Sequence, residues 1–147
     1  MEIKIKKLNA KAVIPTRGSE DAAGYDLYAN IADKDYVVIP PHSTRKIGTG
    51  LCVELPKETF AGIFARSGLS MKNGLRPSNC VGVIDSDYRG EIAVALHNDT
   101  DSVQIITPQE RIAQMVLLPF IPMNFIQTDD LSSTERGTGG FGSTGNK

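Results

Sequence analysis

Apolar residues recur at every second position over much of this chain. In IGTGLCVEL the odd positions Ile47, Thr49, Leu51, Val53 and Leu55 share one face, and Gly48, Gly50, Cys52 and Glu54 share the other. In EIAVALH, Ile92, Val94 and Leu96 alternate with Glu91, Ala93, Ala95 and His97. A period of two puts alternate side chains on opposite faces of a strand, so both segments are predicted as half-buried strands. TFAGIFA, residues 59–65, is apolar on both faces, the pattern of a central strand between two layers. YVVIPP predicts a strand that stops at Pro40 and Pro41, because proline has no N–H to give a ladder. RIAQMVLL, residues 111–118, is ambiguous by period; its shortness, between Pro108 and Pro119, favours a strand. GVIDSDYRGEI, residues 82–92, joins two strand-like runs through turn residues and predicts a hairpin, and ARSGLS, residues 65–70, predicts a polar turn at a strand end. No stretch offers three clean amphipathic helical turns, and breakers recur at Pro56, Gly74, Pro77 and Gly90. Many short strands with frequent turns indicate an all-β sandwich or barrel. The chain divides into a β domain over 1–128 and a C-terminal arm over 129–147, with no internal repeat.

Composition narrows the function. The 147 residues are 40% apolar and 22% charged, enough for one domain with a real core. Sixteen basic and 17 acidic residues give a net charge of -1, which argues against nucleic acid or an anionic membrane as partner. The N-terminal MEIKIKKLNA lacks the apolar run of a signal peptide, and no span reaches membrane length; a soluble, intracellular, cytoplasmic protein is the expectation. Cys52 and Cys80 lie in apolar stretches and are expected as small buried thiols. With His42 and His97 the two histidines, zinc is not expected.

The candidate chemistry is concentrated in five short stretches. AGYDLYAN sets Asp26 inside a Tyr and Leu run, and a buried carboxylate needs a partner. ARSGLS offers Arg66, Ser67 and the Gly68 backbone as donors for an oxyanion. GVIDSDYRG concentrates Asp85, Asp87, Tyr88 and Arg89 at one turn, and RIAQM contributes Gln114. The last stretch, RGTGGFGSTG, contains both a literal G-x-G-x-x-G and a near P-loop. Both patterns need a strand before and a helix after, and here the sequence ends, so neither is a fold signature. Glycine N–H groups still converge readily on an anion, with Arg136, Ser143 and Thr144 as further donors. The lone Phe141 is out of place in a merely disordered tail.

In this order and at these spacings, AGYDLYA, RSGLS, GVIDSDYRG, RIAQM and RGTGGFGSTG resemble the five motifs of the trimeric dUTP pyrophosphatases (dUTPases), over essentially the full chain. The resemblance implies a distorted jelly-roll β fold and a homotrimer whose active sites are shared between subunits. It implies hydrolysis of dUTP to dUMP and pyrophosphate with Mg2+, which limits uracil incorporation into DNA and supplies dUMP. Carried over by residue, Asp85 matches the general base that activates water at the α-phosphorus. Tyr88 matches the aromatic under the deoxyribose, and the backbone at Asn79, Gly82 and Val83 matches the uracil-pairing hairpin. Arg66, Ser67, Gly68 and Gln114 match phosphate binders, and Asp26 matches the acid that holds waters on magnesium. Arg136, Gly142, Ser143 and Thr144 match the tail that clasps the terminal phosphate, with Phe141 stacked on uracil. The rival enzyme, dCTP deaminase, carries a second serine and an arginine where this chain reads RSGLS. A catalytically silent nucleotide-binding or regulatory trimer is the other alternative; intact Asp85, Tyr88 and tail argue against it.

Overall fold

The computed structural model describes residues 1–31 and 34–141. Among them, in chain order, lie β1 (Lys4–Lys7), β2 (Thr16–Arg17), β3 (Tyr25–Tyr28), β4 (Val37–Ile39), β5 (Thr44–Gly48), β6 (Leu51–Glu54) and β7 (Thr59–Phe64). The helix α1 (Ser67–Asn73) follows, then β8 (Leu75–Pro77), β9 (Gly82–Asp85), β10 (Ala93–Asn98), β11 (Gln104–Ile106) and β12 (Arg111–Pro119). The five-stranded sheet runs β2-β3-β12-β7-β9 and the three-stranded sheet β5-β10-β8, with β1-β6 and β11-β4 as further pairs. Every pair is antiparallel. This is a jelly-roll β fold. No helix among the described residues is long and apolar enough to cross a membrane.

The period-two pattern predicts burial well. Ile47, Leu51 and Val53 are buried, as are Ile92, Val94 and Leu96, and they meet Leu27, Ile39, Ile106 and Ile112 in one core. Each such side chain contributes about 1.5–3 kcal/mol. TFAGIFA is indeed central, with β12 on one side and β9 on the other, and RIAQMVLL is a strand.

Three local expectations are corrected. The alternation from Ile47 to Leu55 belongs to two strands, not one: the chain turns at Thr49–Gly50 between β5 and β6. Gly50 has φ +68, and a Cβ there would also strike Asn30 and Ala12. The burial phase survives the turn because the Thr49 side chain is itself buried, donating to the Ile92 carbonyl at 2.6 Å. Residues 82–92 do not form a hairpin. β9 pairs with β7 and β10 with β5 and β8, so this segment crosses between sheets. ARSGLS is the start of α1 rather than a bare turn: Leu69 inserts into the core and Gly74, with φ +60, closes the helix in the left-handed conformation.

A polar core device closes one end of the molecule. The buried Asn98 amide donates to the carbonyls of Ile39, Pro40 and Ser102 and accepts from the Thr100 N–H and hydroxyl. Beside it Arg76 grips Asp99 through two hydrogen bonds of 2.8 and 3.0 Å, which raise the guanidinium pKa above its ordinary value. Beyond β12, the Phe120 N–H donates to the Glu58 carbonyl at 3.0 Å, and residues 121–141 add no strand or helix. Ile121, Met123, Phe125 and Ile126 stand exposed along this arm.

Candidate active site

The sequence-predicted residues fall into three groups. The first surrounds a cavity of about 220 Å³ walled by Gly24, Asp26, Arg66, Ser67, Gly68 and Gln114, among others. β3 supplies Asp26, β12 supplies Gln114, and the register pairs them directly, so both project from one face of the sheet. The end of β7 and the start of α1 supply Arg66, Ser67 and Gly68. Asp26 has the partner its burial demands, and in fact two: Arg66 Nε donates to Oδ1 at 2.7 Å and Arg111 Nη1 to Oδ2 at 3.2 Å. Arg66 also donates through Nη1 to the Arg111 carbonyl at 3.2 Å. A guanidinium carries five N–H donors, so Arg66 keeps an open edge toward the cavity. At the first turn of α1 no side chain caps the helix, which leaves its leading N–H groups available. Gln114 donates to the Ala65 carbonyl at 2.9 Å. Gly24 makes room for this amide, because a Cβ there would collide with it.

The second group surrounds a separate cavity of about 280 Å³ whose walls include Lys46, Val83, Asp85, Tyr88, Glu91 and Ala93. The Tyr88 N–H donates to the Asp85 carbonyl at 3.1 Å, closing the turn that follows β9. The ring is held by its hydroxyl, which donates to the Glu91 carbonyl at 3.1 Å, and it lies so close over Gly90 that a Cβ would strike it. Asp85 is exposed. Asn79 and Gly82 flank the reversal between β8 and β9, where the Val81 N–H donates to the Asn79 carbonyl at 2.7 Å. Cys80 adopts φ +63 at this reversal and is exposed, so the expected buried thiol is not found there; Cys52 is half-buried.

The third group is the tail. Arg136 and Phe141 are exposed, and Arg136 Nε donates to the Gly139 carbonyl at 2.9 Å. Gly142, Ser143 and Thr144 lie outside the described residues.

The first two cavities share no wall residue. Asp85 is registered with Phe60 at one end of β7, and Gln114 with Phe64 at the other, on the opposite side of that strand. Four residues of strand and two strand spacings separate their backbones, about 13 Å along and about 10 Å across. One chain therefore holds an arginine-lined pocket and a carboxylate–aromatic pocket apart. The residue that sequence reasoning missed is Arg111, the second partner of Asp26. RIAQM contained it, but its signal is tertiary.

A protein-family model for dUTPase matches residues 10–145. The chain belongs to the dUTPase family. The deoxyuridine 5'-triphosphate nucleotidohydrolase of Nautilia profundicola is 48% identical over 145 residues, covering 99% of both chains. That of Hydrogenobaculum sp. is 44% identical over the full length of both. Among solved structures, a variant of the Staphylococcus bacteriophage 80alpha dUTPase with dUpNHpp superposes with a TM-score of 0.87 at 27% identity, covering 98% of each chain. A variant of the dUTPase of phage phi11 of S. aureus, a protein with a structural Mg(II) ion, shares the fold at a TM-score of 0.80 and 21% identity, with 90% of this chain and 100% of that one covered. The enzyme is a dUTP diphosphatase that hydrolyses dUTP.

Proposed function

We propose that one active site is assembled from three copies of this chain. Uracil and deoxyribose occupy the Asp85–Tyr88 cavity of one copy, and the triphosphate reaches the Arg66–Gln114 cavity of a second. The tail of a third covers both. The observation that carries this reading is the separation of the two cavities within one chain. The exposed apolar arm from Ile121 to Ile126 supports it, as does an apolar groove of about 420 Å³ walled by Met1, Ile3, Ile14 and Leu117 among others. Both are surfaces of the kind that association covers.

In this arrangement the Asp85 carboxylate accepts a proton from water as the water oxygen bonds to the α-phosphorus. The bond from that phosphorus to the bridging oxygen breaks, and pyrophosphate leaves dUMP behind. General-base assistance of this kind contributes about 10²–10⁴ in rate. The Tyr88 ring, fixed by Glu91 and Gly90, walls the sugar and leaves no room for a 2′-hydroxyl. The backbone at Asn79, Gly82 and Val83 pairs with the uracil edge. Arg66, with Ser67, Gly68 and Gln114, holds phosphate oxygens as their charge develops.

Among the described residues no group of three or more His, Cys, Asp or Glu could cage a metal. Mg2+ suits such a site, since it keeps waters and takes few carboxylates beside substrate phosphates. A carboxylate has about four lone-pair positions. Asp26 gives two to arginines and keeps others for waters on the metal. When bound, Mg2+ supplies neutralisation of the triphosphate charge. In the tail, Arg136 and the Gly142–Thr144 segment clasp the terminal phosphate and Phe141 stacks on uracil, a contact worth about 1–3 kcal/mol.

Complementation tests the shared site. Asp85→Asn and a deletion of residues 136–147 are each expected to be inactive. Unfolded together and refolded as a mixture, they are expected to recover part of the pyrophosphate release from dUTP, because a mixed trimer pairs an intact Asp85 with an intact tail. A mixture as inactive as its components rejects sharing between copies.

A further inference from the structure

We infer that Arg111 is a positioning residue: it locks Asp26, and with its own carbonyl locks Arg66, so that the free edge of the Arg66 guanidinium faces the substrate. The inference rests on the proposed role of Arg66 toward phosphate.

Its origin is a β-bulge. The β12–β3 register runs Arg111↔Tyr28 and then Ala113↔Leu27, so Ile112 is an extra residue in β12. Residues three apart on a regular strand point to opposite faces. Arg111 and Gln114 are three apart, yet both line the cavity of Asp26. The extra residue restores the phase: Arg111 sits opposite Tyr28 and Gln114 opposite Asp26, and Tyr28 and Asp26, two apart, share a face. Ile112 and Ala113 are both fully buried, which anchors the bulge in the core.

The result is a closed circuit. Arg111 Nη1 holds Asp26 Oδ2 at 3.2 Å, Asp26 Oδ1 holds Arg66 Nε at 2.7 Å, and Arg66 Nη1 returns to the Arg111 carbonyl at 3.2 Å. The Asp26 side chain is 13% exposed and that of Arg66 26%, so these bonds are shielded from water, whereas Arg111 at 51% stands at the rim. With one carboxylate between two guanidiniums, the group carries a net positive charge before any ligand arrives. Fixing one edge of Arg66 leaves less side-chain entropy to lose when phosphate binds the other. Without the Arg111 side chain, Asp26 Oδ2 loses its holder and the carboxylate is tied to Arg66 through Oδ1 alone. The bond from Arg66 Nη1 to the backbone carbonyl at 111 remains, so Arg66 keeps its place but leans on a less firmly held partner.

The test is a pair of double-mutant cycles on the full chain. For Arg111→Gln we expect the KM for dUTP and the Kd for dUpNHpp to rise about tenfold, the scale of one misaligned charge-assisted hydrogen bond. The kcat is expected to fall less than KM rises, and Arg111→Lys, whose ammonium retains a donor for Oδ2, to recover part of the loss. In an Asp26→Asn background, Arg111→Gln should add less than about twofold. The same is expected in an Arg66→Ala background, which serves if the Asp26 variant does not fold. An undiminished tenfold effect in either background overturns the proposal, because Arg111 would then act on substrate directly. So does an Arg111→Gln enzyme with unchanged KM and Kd. Arg66→Ala alone reports separately: if its KM and Kd match the parent, the phosphate role of Arg66 fails.

Discussion

Gly24→Ala places one methyl group where the Gln114 amide now lies. The β3–β12 ladder pairs Tyr25 with Met115 and Asp26 with Gln114, so the strands cannot simply part. The mobile end of Gln114 gives way, and its 2.9 Å bond to the Ala65 carbonyl is lost. That bond is worth about 1 kcal/mol net, and crowding near the Gln114 Cβ adds about 1 kcal/mol more. The fold should therefore survive with a modest fall in melting temperature. The functional loss should be larger. If Gln114 donates to a phosphate oxygen, a charge-assisted bond of about 1.5–3 kcal/mol goes with it, which is roughly 10- to 150-fold in kcat/KM. Pyrophosphate release at low dUTP reads this directly, with thermal melting alongside. Gln114→Ala should show a similar loss in kcat/KM. Adding Gly24→Ala to it should change kcat/KM little, since the amide that the methyl group would strike is gone and only the 3.2 Å contact with the Cβ at 114 remains. If Gly24→Ala keeps parental kcat/KM while Gln114→Ala loses it, the amide has not been displaced and the steric reasoning is wrong.

Other outcomes follow from single contacts. Tyr88→Ala should weaken dUTP use and relax the bias against UTP, whereas Tyr88→Phe keeps the wall and loses only the 3.1 Å bond to Glu91; an unchanged dUTP to UTP ratio of kcat/KM in Tyr88→Ala would move the sugar wall elsewhere. Asp85→Asn should bind dUpNHpp normally and lose about 10²–10⁴ in single-turnover rate; near-parental turnover would shift the base role, with Asp87 next in line. Asn98→Ala should cost about 3 kcal/mol, because it strips buried carbonyls of their donor; a urea-denaturation loss below about 1 kcal/mol would contradict that account. Chelation of Mg2+ should slow turnover and leave the melting temperature of the nucleotide-free enzyme unchanged, since no acidic or thiol cluster among the described residues holds a structural ion; a large drop on chelation would reveal one.

How far the sequence carries depends on the range of the signal. Burial was legible from Ile47 to Leu55 at every position but Gly50, which is buried at the turn, because a period of two requires only that each side chain choose a face. It persisted through the Thr49–Gly50 turn, where strand identity did not, since a left-handed glycine redirects the chain without resetting the alternation. The hairpin at 82–92 failed for the converse reason: turn residues announce a reversal but not the partner, and β9 finds β7 while β10 finds β5. α1 was missed because two helical turns give too short a period to outweigh flanking strands. The site shows the same division. Asp26 demanded a partner by being a carboxylate among apolar residues, and that demand was met. The second partner could not be anticipated, because Arg111 faces Asp26 only through a bulge, and a bulge is invisible in a strand so apolar that either phase at Ile112–Ala113 looks buried. The motifs thus name the candidate groups, while their grouping into cavities is set by register. Asp85 and Gln114 flank β7 from opposite ends, and that strand is hydrogen-bonded on both sides within the five-stranded sheet. No motion short of breaking the sheet brings them together within one chain. Under the proposed shared site, a second copy supplies the cavity that the first cannot bring to Asp85, and the exposed apolar arm beyond Pro119 is then surface that such association would cover.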